Sequence, residues 1–294
     1  MKDYVIITDS TTDLPFEYAQ AKNLNVLPLG FIDVNGNEYK NTLDHKDMPI
    51  KDFYKKMRDG ATFKTNQINI QTYKDFFESF IKDNKDIIAI SFSSGLSGSY
   101  NSACVARNLI LEEYPDAKIT VIDSLCASLG EGLLVHYALK AKEDGKNYEE
   151  VVSYIETLKH DISHWFTVDD IDTLKRGGRL SGGAAFVAKT LKIKPVLYVS
   201  PEGKLVARTK KIGRKNAMNE VVEKLVSMYD KERNDIFFIS HGDCIDEVLY
   251  VKKRISELTG IDNFVINEVG PVIGSHAGPG VLAVFFVSKG RLDD

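Results

Sequence analysis

The chain has 294 residues, of which 43% are hydrophobic and 27% are charged. These proportions are typical of globular proteins and exclude disorder of the whole chain, while the length favours two domains over one. Lys and Arg together number 38 against 42 Asp and Glu, which gives a net charge of −4. A reader of duplex nucleic acid normally carries a basic excess, so we do not expect nucleic acid as the main partner.

Neither end of the chain predicts a membrane anchor or a secretion signal. The longest strongly apolar stretch near an end, residues 281–287, is far shorter than the ~20 residues of a membrane-spanning helix and predicts a buried strand. Met1 leads directly into the apolar residues 4–8 without a basic leader or cleavage site, so we expect a cytoplasmic protein. The three cysteines are odd in number and widely separated, which favours neither a disulfide framework nor a zinc site.

In the first half, short apolar runs alternate with amphipathic segments. Apolar residues spaced by three or four positions predict helices around residues 53–57 and 73–81. Asn35-Gly36 predicts a tight hairpin turn in a small antiparallel flap. The alternation of strands and helices predicts a mostly parallel sheet flanked by helices. The predicted strands are residues 4–8, 26–31, 86–91 and 118–122.

The second half predicts a hairpin followed by strand-helix repeats, and therefore a mixed sheet. The hairpin joins residues 193–199 to 204–208 through Pro201-Glu202-Gly203. A helix over about 244–259 separates strands at 235–240 and 264–269, and the loop 270–280 precedes the last strand. With a helix from Tyr148 to about Lys159 as the bridge, we predict two α/β domains, residues 1–162 and 163–294.

Clusters of small and hydroxyl residues follow the predicted strands, where ligands bind in open parallel sheets because helix N-termini and free amides converge there. The segment 91–102 is the most specific, because its serines and glycines stand between a strand and a helix and favour an anion site. It lacks the lysine of a nucleotide P-loop and the Gly-x-Ser-x-Gly pattern of a hydrolase, so carboxylate or phosphate capture fits better than acyl-enzyme chemistry. Without a ligand, the same residues would only cap the helix.

Two further clusters lie in the first half of the chain. Asp9 ends the first strand and either orients neighbouring hydroxyls or has a purely structural role. Thr12 or Asp13 is expected to cap a helix that has Pro15 in its first turn. The segment 64–67 is either a polar loop that caps the next helix or part of a site.

The last two clusters contribute an arginine and a histidine. Glycine pairs flank Arg179 and either aim its guanidinium at a ligand or form a solvated turn. His276 lies in the glycine- and proline-rich loop 270–280, and its ring can donate a hydrogen bond to an anion at neutral pH. The other histidines have no comparable setting and are interpreted as structural or surface residues: His45, His136, His160, His164 and His241.

Together these motifs resemble the DegV family of bacterial fatty-acid-binding proteins, and the resemblance covers nearly the whole chain. Each motif is weak alone, but their order along the chain is specific. The matching segments are Asp9-Ser10-Thr11-Thr12-Asp13-Leu14, Thr65-Asn66-Gln67, residues 93–102, Asp123-Ser124, residues 176–181, Ile193-Lys194-Pro195 and His276-Ala277-Gly278-Pro279-Gly280.

The resemblance implies a lipid-binding carrier with a long-chain fatty acid between two α/β domains. By resemblance, the hydroxyls of Thr65 and Ser97 hold the carboxylate, aided by the amide of Gly98 and by His276. Secondary candidates are Ser93, Ser94, Asp9 and Arg179. No catalytic residue, metal or further cofactor is implied. The acyl chain requires an apolar tunnel, for which the candidate walls are residues 184–187, Leu191, Ile193 and residues 281–286.

Several family members present the bound acid to a separate kinase subunit, which makes an acyl phosphate. The stretch that matches Lys210–Arg214 holds Ile212 where relatives commonly have Arg, and Thr65-Asn66-Gln67-Ile68 replaces a Thr-Ser-Gln-Pro pattern. These departures bear on the kinase partnership rather than on lipid binding.

Two alternatives remain open from the residues alone. One is a hydrolase or phosphatase in which Ser97 is the nucleophile, His276 the base and Asp9 the orienting carboxylate. The other is a binding protein for a sugar phosphate or a dihydroxyacetone-type phosphate, against which an apolar tunnel would argue.

Overall fold

The computed structural model describes residues 3–181 and 192–291. Within these ranges the strands form three sheets, and a short 3-10 helix spans Ser10–Thr12. The strands are β1 (Tyr4–Asp9), β2 (Asn25–Leu27), β3 (Leu29–Ile32), β4 (Glu38–Asn41), β5 (Lys64–Asn66), β6 (Asp86–Ser91), β7 (Ile119–Asp123), β8 (Ile162–Thr167), β9 (Leu180–Ser181), β10 (Ile193–Val199), β11 (Leu205–Ile212), β12 (Phe237–His241), β13 (Phe264–Glu268) and β14 (Leu282–Val287). The helices are α1 (Phe16–Ala21), α2 (Ile50–Arg58), α3 (Ile70–Lys82), α4 (Ser99–Glu113), α5 (Leu129–Glu143), α6 (Tyr148–Leu158), α7 (Ile171–Arg176), α8 (Arg214–Met228), α9 (Ile245–Thr259) and α10 (Pro271–Ala277).

The first sheet is parallel throughout and has the strand order β2-β1-β6-β7. Its central strands β1 and β6 are buried along their whole length, as their apolar sequences require. The strand predicted over residues 26–31 is in fact two strands, because β2 joins this sheet and β3 another. Pro28 stands between them, and a proline has no N–H group with which to continue the ladder.

A small antiparallel sheet with the order β4-β3-β5 forms the flap predicted from Asn35-Gly36. Gly36 has a φ of +84°, which glycine adopts without strain. The segment 64–67 was interpreted as a loop or a site, but its first three residues form β5, in which Thr65 pairs with Phe31. That partner is distant in the sequence, so local polarity did not reveal the pairing.

The third sheet is mixed and has the order β13-β12-β14-β8-β10-β11-β9. The predicted hairpin is confirmed as β10 and β11, and together these sheets confirm the predicted α/β fold class. Most of the predicted loop 270–280 forms α10, which begins at Pro271. Proline is favoured in the first turn of a helix, because the N–H that it lacks would have no partner there.

Helix α5 lies between the two large sheets. Eleven of its fifteen residues are buried, and it packs on β1 and β6 on one side and on β8, β12 and β14 on the other. A helix that is apolar around its circumference belongs in a core rather than at a surface. Gly132 allows the close approach, since a Cβ there would lie 3.0 Å from the carbonyl oxygen of Thr12. One hydrophobic core therefore runs through α5 and joins both sheets; the division into two domains at residue 162 stays a prediction.

In the part of the chain that the structure describes, no helix combines the length and the apolar character that crossing a membrane requires.

Candidate functional site

A cavity of about 570 Å³ lies between the two large sheets, at the carboxyl ends of β6 and β7. Its volume is within the range of small-molecule sites. One part, which we call the polar end, is formed by Thr65, Ser97, Gly98, Arg179 and His276. Another part, which we call the apolar wall, is formed by Phe166, Ala283 and Phe285. Further apolar lining comes from Phe92, Leu96, Leu174, Val199, Leu205, Val269, Val272, Ile273 and Val281.

Thr65 and His276 form a hydrogen-bonded pair at the polar end, with 2.8 Å between Thr65 Oγ1 and His276 Nε2. Strand β5 positions the threonine, and the last turn of α10 positions the histidine. His276 Nδ1 is buried and has no partner among the described residues. It faces Gly177, where a Cβ would lie 2.2 Å from Nδ1. Gly177 is therefore required for the ring to keep this position.

His276 is neutral at pH 7. Burial, together with the positive charge of Arg179, lowers the pKa of His276 to about 4. In the tautomer that carries its proton on Nε2, the ring donates to Thr65 Oγ1 and leaves the threonine hydroxyl proton available for a ligand. In this tautomer the ring orients Thr65 as a hydrogen-bond donor.

The serine-rich loop between β6 and α4 brings Ser97 and Gly98 to the same place. Ser97 Oγ accepts a hydrogen bond from the amide of Ser99 at 3.2 Å and lies 3.0 Å from Ser99 Oγ. Gly98 precedes α4, and a Cβ at this position would lie 2.1 Å from Oε1 of Gln67. Glycine is therefore needed for the loop to pack against the strand segment that carries Thr65.

Arg179 links the polar end to α7. Its Nε donates to the carbonyl oxygen of Leu96 at 3.1 Å, and its Nη1 donates to that of Gly177 at 2.7 Å. Because no carboxylate accepts either bond, the guanidinium keeps a net positive charge beside the cavity. Backbone carbonyls thus hold the guanidinium beside the cavity, and its predicted role toward a ligand stays a prediction.

Alternate residues of β14 face the cavity. Ala283 and Phe285 line it together with Val281, whereas Val284 and Phe286 pack in the core on the opposite side of the sheet. Of the predicted wall 281–286, every second residue therefore lines the cavity, because successive side chains of a strand point to opposite faces of the sheet. Ile193 does not line the cavity, and residues 184–187 and 191 lie outside the described residues.

Three secondary candidates do not line the cavity. The hydroxyl of Ser93 is buried and donates to the carbonyl oxygen of Gly203 at 2.8 Å. Ser94 is exposed, and its amide donates to Asp123 at 3.1 Å. The carboxyl group of Asp9 is buried and accepts hydrogen bonds from the loop around it. Asp9 therefore faces the loop rather than the cavity, and the hydroxyl that it contacts is that of Thr11.

Asp9 belongs to a buried acidic network. Its carboxyl oxygens accept from the amides of Thr11 and Phe92, each at 3.0 Å, and Thr11 Oγ1 lies between Asp9 and Glu131. Burial raises the pKa of Asp9 and raises that of Glu131 well above its ordinary value. Since the Thr11 hydroxyl has one proton for two carboxyl groups, one of the two must itself be protonated.

Asp13 does not cap a helix, in contrast to the prediction for it and Thr12. Helix α1 begins after Pro15 without a side-chain cap, and Asp13 adopts a φ of +50° in the short 3-10 turn that precedes it. Asp13 instead accepts from the amide of Gly270 at 2.9 Å and from the hydroxyl of Ser128 at 2.6 Å. Burial raises the pKa of Asp13 to about 7.

Sequence reasoning missed four polar residues that line the cavity: Asn69, Ser128, His164 and Ser240. His164 was interpreted as structural or at the surface, and its Nε2 accepts from the amide of Ala127 at 3.3 Å. Burial lowers the pKa of His164 well below its ordinary value, so its ring is neutral. For Ser240 and His164, the sequence did contain a signal of a role in the cavity, because each is a polar residue within an otherwise apolar strand.

The hydrolase alternative gains no support from the geometry. Ser97 is hydrogen-bonded to Ser99, His276 to Thr65, and Asp9 to Thr11 and Phe92. A nucleophile is activated when its base lies within hydrogen-bonding distance and a third group orients that base.

Among residues 3–181 and 192–291, no cluster of His, Cys, Asp and Glu has the arrangement needed to hold a metal ion.

The fold and the cavity define an α/β protein in which two sheets enclose a small-molecule site with one polar end. Residues 3–289 match a family model described as "Uncharacterised protein, DegV family". A DegV domain-containing protein of Clostridium perfringens is 41% identical over 288 residues, covering 98% of each chain. One from Lactococcus lactis is 35% identical over 97% of this chain and 98% of the relative. The chain belongs to the DegV family, which confirms the resemblance.

Solved structures agree with this assignment. A stearic acid-binding protein from Eubacterium ventriosum has a TM-score of 0.88 at 28% identity, over 97% of this chain and 98% of its own. A DegV family protein from Thermus thermophilus, described by its fatty acid binding, has a TM-score of 0.86 at 29% identity. The match covers 98% of this chain and 100% of the Thermus protein. DegV from Bacillus subtilis, described as a fatty acid binding protein, has a TM-score of 0.84 at 26% identity. The match covers 98% of this chain and 100% of the Bacillus protein.

Proposed function

We propose that this protein binds a long-chain fatty acid in the cavity between its two large sheets. The observation that carries the proposal is the division of one cavity into a polar end and an apolar wall. A fatty acid has the same division between its carboxylate and its alkyl chain. The fatty acids named for the similar proteins from Eubacterium ventriosum and Thermus thermophilus support the same ligand class.

At the polar end, neutral groups hold the carboxylate. The Thr65 hydroxyl, oriented by His276, donates to one oxygen, and Ser97 with the amide of Gly98 serves the other. Hydrogen bonds to a charged group contribute about 1.5–3 kcal/mol each, roughly twice those between neutral groups. Arg179 adds a positive charge beside the cavity in a chain whose net charge is −4.

The apolar wall holds the alkyl chain. Each buried methylene group contributes about 0.8 kcal/mol, so a chain of sixteen carbons binds tightly without many polar contacts. A short phosphorylated sugar would leave this wall against water, which argues against the sugar-phosphate alternative.

The protein is further proposed to act as a carrier in the cytoplasm, without catalysis of its own, that presents the acid to a separate kinase subunit. The absence of a paired nucleophile and base among the described cavity residues supports the carrier role. Ile212, where relatives commonly have Arg, is 74% exposed at the end of β11. The presence of Ile rather than Arg at this position therefore changes the outer surface of the protein and leaves the cavity unchanged.

Native mass spectrometry of protein purified from a bacterial host tests the binding proposal. We expect an added mass that matches a long-chain acid, and its extraction identifies the chain. Ser97→Ala should reduce the amount of bound acid. Ser94→Ala is its matched control and should not, because both serines lie in the same loop but Ser94 does not line the cavity. A ligand-free protein that also fails to bind offered oleate and palmitate would refute the proposal.

A further inference from the structure

A second polar position lies on the cavity surface, away from the polar end. Ser128 directly precedes α5, Ser240 lies on β12, and both line the cavity. Ser128 Oγ lies 2.6 Å from Asp13 Oδ2 and 2.9 Å from Ser240 Oγ. The two hydroxyls therefore form a chain from a buried carboxyl group to the cavity. We call Asp13, Ser128 and Ser240 the serine relay.

The proton count along the serine relay leaves Ser240 with unused hydrogen-bonding capacity. When Asp13 is ionised, Ser128 donates to it and Ser240 donates to Ser128, so Ser240 has only acceptor sites for the cavity. When Asp13 is protonated, the chain reverses and the Ser240 proton is available to a ligand. In both states Ser240 keeps its hydrogen bond to Ser128, and an alkyl chain beside it makes no use of the remaining capacity.

The serine relay and the polar end lie at opposite ends of α10. The amide of Gly270, which precedes this helix, donates to Asp13, whereas His276 lies in its last turn. Across β12 and β14, Ser240 pairs with Ala283 of the apolar wall. Ser240 therefore lies beside the alkyl chain of a bound acid rather than at the polar end.

We propose that the serine relay is a binding position for a hydroxyl group on the acyl chain, away from the carboxylate, so that the protein prefers fatty acids that carry such a hydroxyl to unsubstituted ones. The inference rests on the proposed function and deepens it. A hydroxyl group is both donor and acceptor, so it satisfies Ser240 whichever way the relay is protonated. His164 also lies beside the apolar wall, but both of its ring nitrogens have partners within the protein, Ala127 and Ile162, whereas Ser240 keeps capacity for such a substituent.

Competition against a fluorescent fatty acid measures the preference, with 10-hydroxyoctadecanoic acid and octadecanoic acid as probes. We expect the hydroxy acid to bind roughly 3- to 10-fold more tightly, the effect of one neutral hydrogen bond. Ser240→Ala should abolish the preference while octadecanoic acid still binds. Ser240→Cys keeps the volume but offers only a weak hydrogen-bonding group, and it should abolish the preference as well.

Ser97→Ala is the control at the polar end, where it should weaken both acids equally and keep their ratio. The proposal is overturned if the unaltered protein binds both acids equally, or if the preference persists in both Ser240 variants. In those cases octadecanoic acid still binds and the proposed function stands. Failure to bind either acid refutes the proposed function and this inference together.

Discussion

The buried acidic network and the polar end of the cavity contrast in where their hydrogen bonds go. Asp9 accepts from two backbone amides, and Glu131 lies within hydrogen-bonding distance of the Thr8 and Thr11 hydroxyls, so the partners of both carboxyl groups lie within the protein. At the polar end, by comparison, His276 Nδ1 has no partner among the described residues. Both regions are rich in hydroxyl and ionisable groups, and each includes a segment at the end of a parallel strand, since Asp9 ends β1 and Ser97 follows β6.

The contrast shows that residue type at a strand end does not separate a structural cluster from a ligand site. Burial of charge costs free energy unless hydrogen bonds offset it, so a closed network stabilises the loops around it. A cluster that faces a cavity keeps donors for a ligand. Substitutions in the first region should therefore affect stability, and those in the second should affect binding.

Asp9→Ala should have the largest effect and should destabilise the protein. The substitution leaves the buried amides of Thr11 and Phe92 without their acceptor, which costs about 3 kcal/mol or more of the free energy of unfolding. Denaturant unfolding measures the change. Ser94→Ala, at an exposed position in a nearby loop, is the control and should change stability little. A stable Asp9→Ala protein that has lost only ligand binding would reverse our assignment of the two regions.

Thr65→Ala combined with Ser97→Ala should weaken fatty acid binding with little change in stability. Loss of two hydrogen bonds to a carboxylate corresponds to about 3 kcal/mol or more, which is at least about 150-fold in Kd. Displacement of a fluorescent fatty acid gives the Kd, and thermal unfolding without ligand gives the stability. Unchanged affinity in the double variant would show that the carboxylate binds elsewhere.

Stability should fall as the pH rises from about 4 to about 7, in part because of Asp13. Its pKa is raised to about 7 in the folded protein, so the folded state binds a proton that the unfolded state has already lost. The stability that this proton contributes is fully present below the pKa of Asp13 in the unfolded chain. It is lost as the pH rises to the pKa of Asp13 in the folded protein. One such group contributes a slope of about 1.4 kcal/mol per pH unit.

Asp13→Asn should flatten this slope, since the amide does not titrate. Chemical denaturation at several pH values between 5 and 8 measures it. A slope that is the same with and without the carboxyl group would assign the pH dependence to the acidic network instead.

The smallest effect should be a modest pH dependence of binding through His276. The pKa of the free protein's His276 is lowered to about 4, and a bound carboxylate nearby should raise it by 1–3 units, about the usual effect of an opposite charge. Binding therefore takes up a proton, and affinity should increase roughly two- to tenfold from pH 7.5 to pH 5.5. His276→Gln should remove that increase. An equal increase in this variant would assign it to another group.

Local sequence patterns were sufficient for much of the secondary structure. The strand predicted at residues 86–91 coincides with β6, and the hairpin of β10 and β11 lies where its turn residues indicated. Such segments are determined by apolar runs and turn chemistry within a few residues. The predictions failed at β5 and at Asp13, whose partners are Phe31, Ser128 and Gly270. No local pattern contains those partners.

The sequence by itself determined the fold class, the family and the residues of the polar end, because each is carried by short motifs or by regular apolar spacing. Only the tertiary structure decided which hydroxyl and acidic groups face the cavity. It separated Asp9 from His276 and brought Ser240 to the cavity surface from a distant part of the chain. The reason is physical: burial and hydrogen-bond partners are set by the packing of two sheets around α5, and that packing is a property of the whole chain.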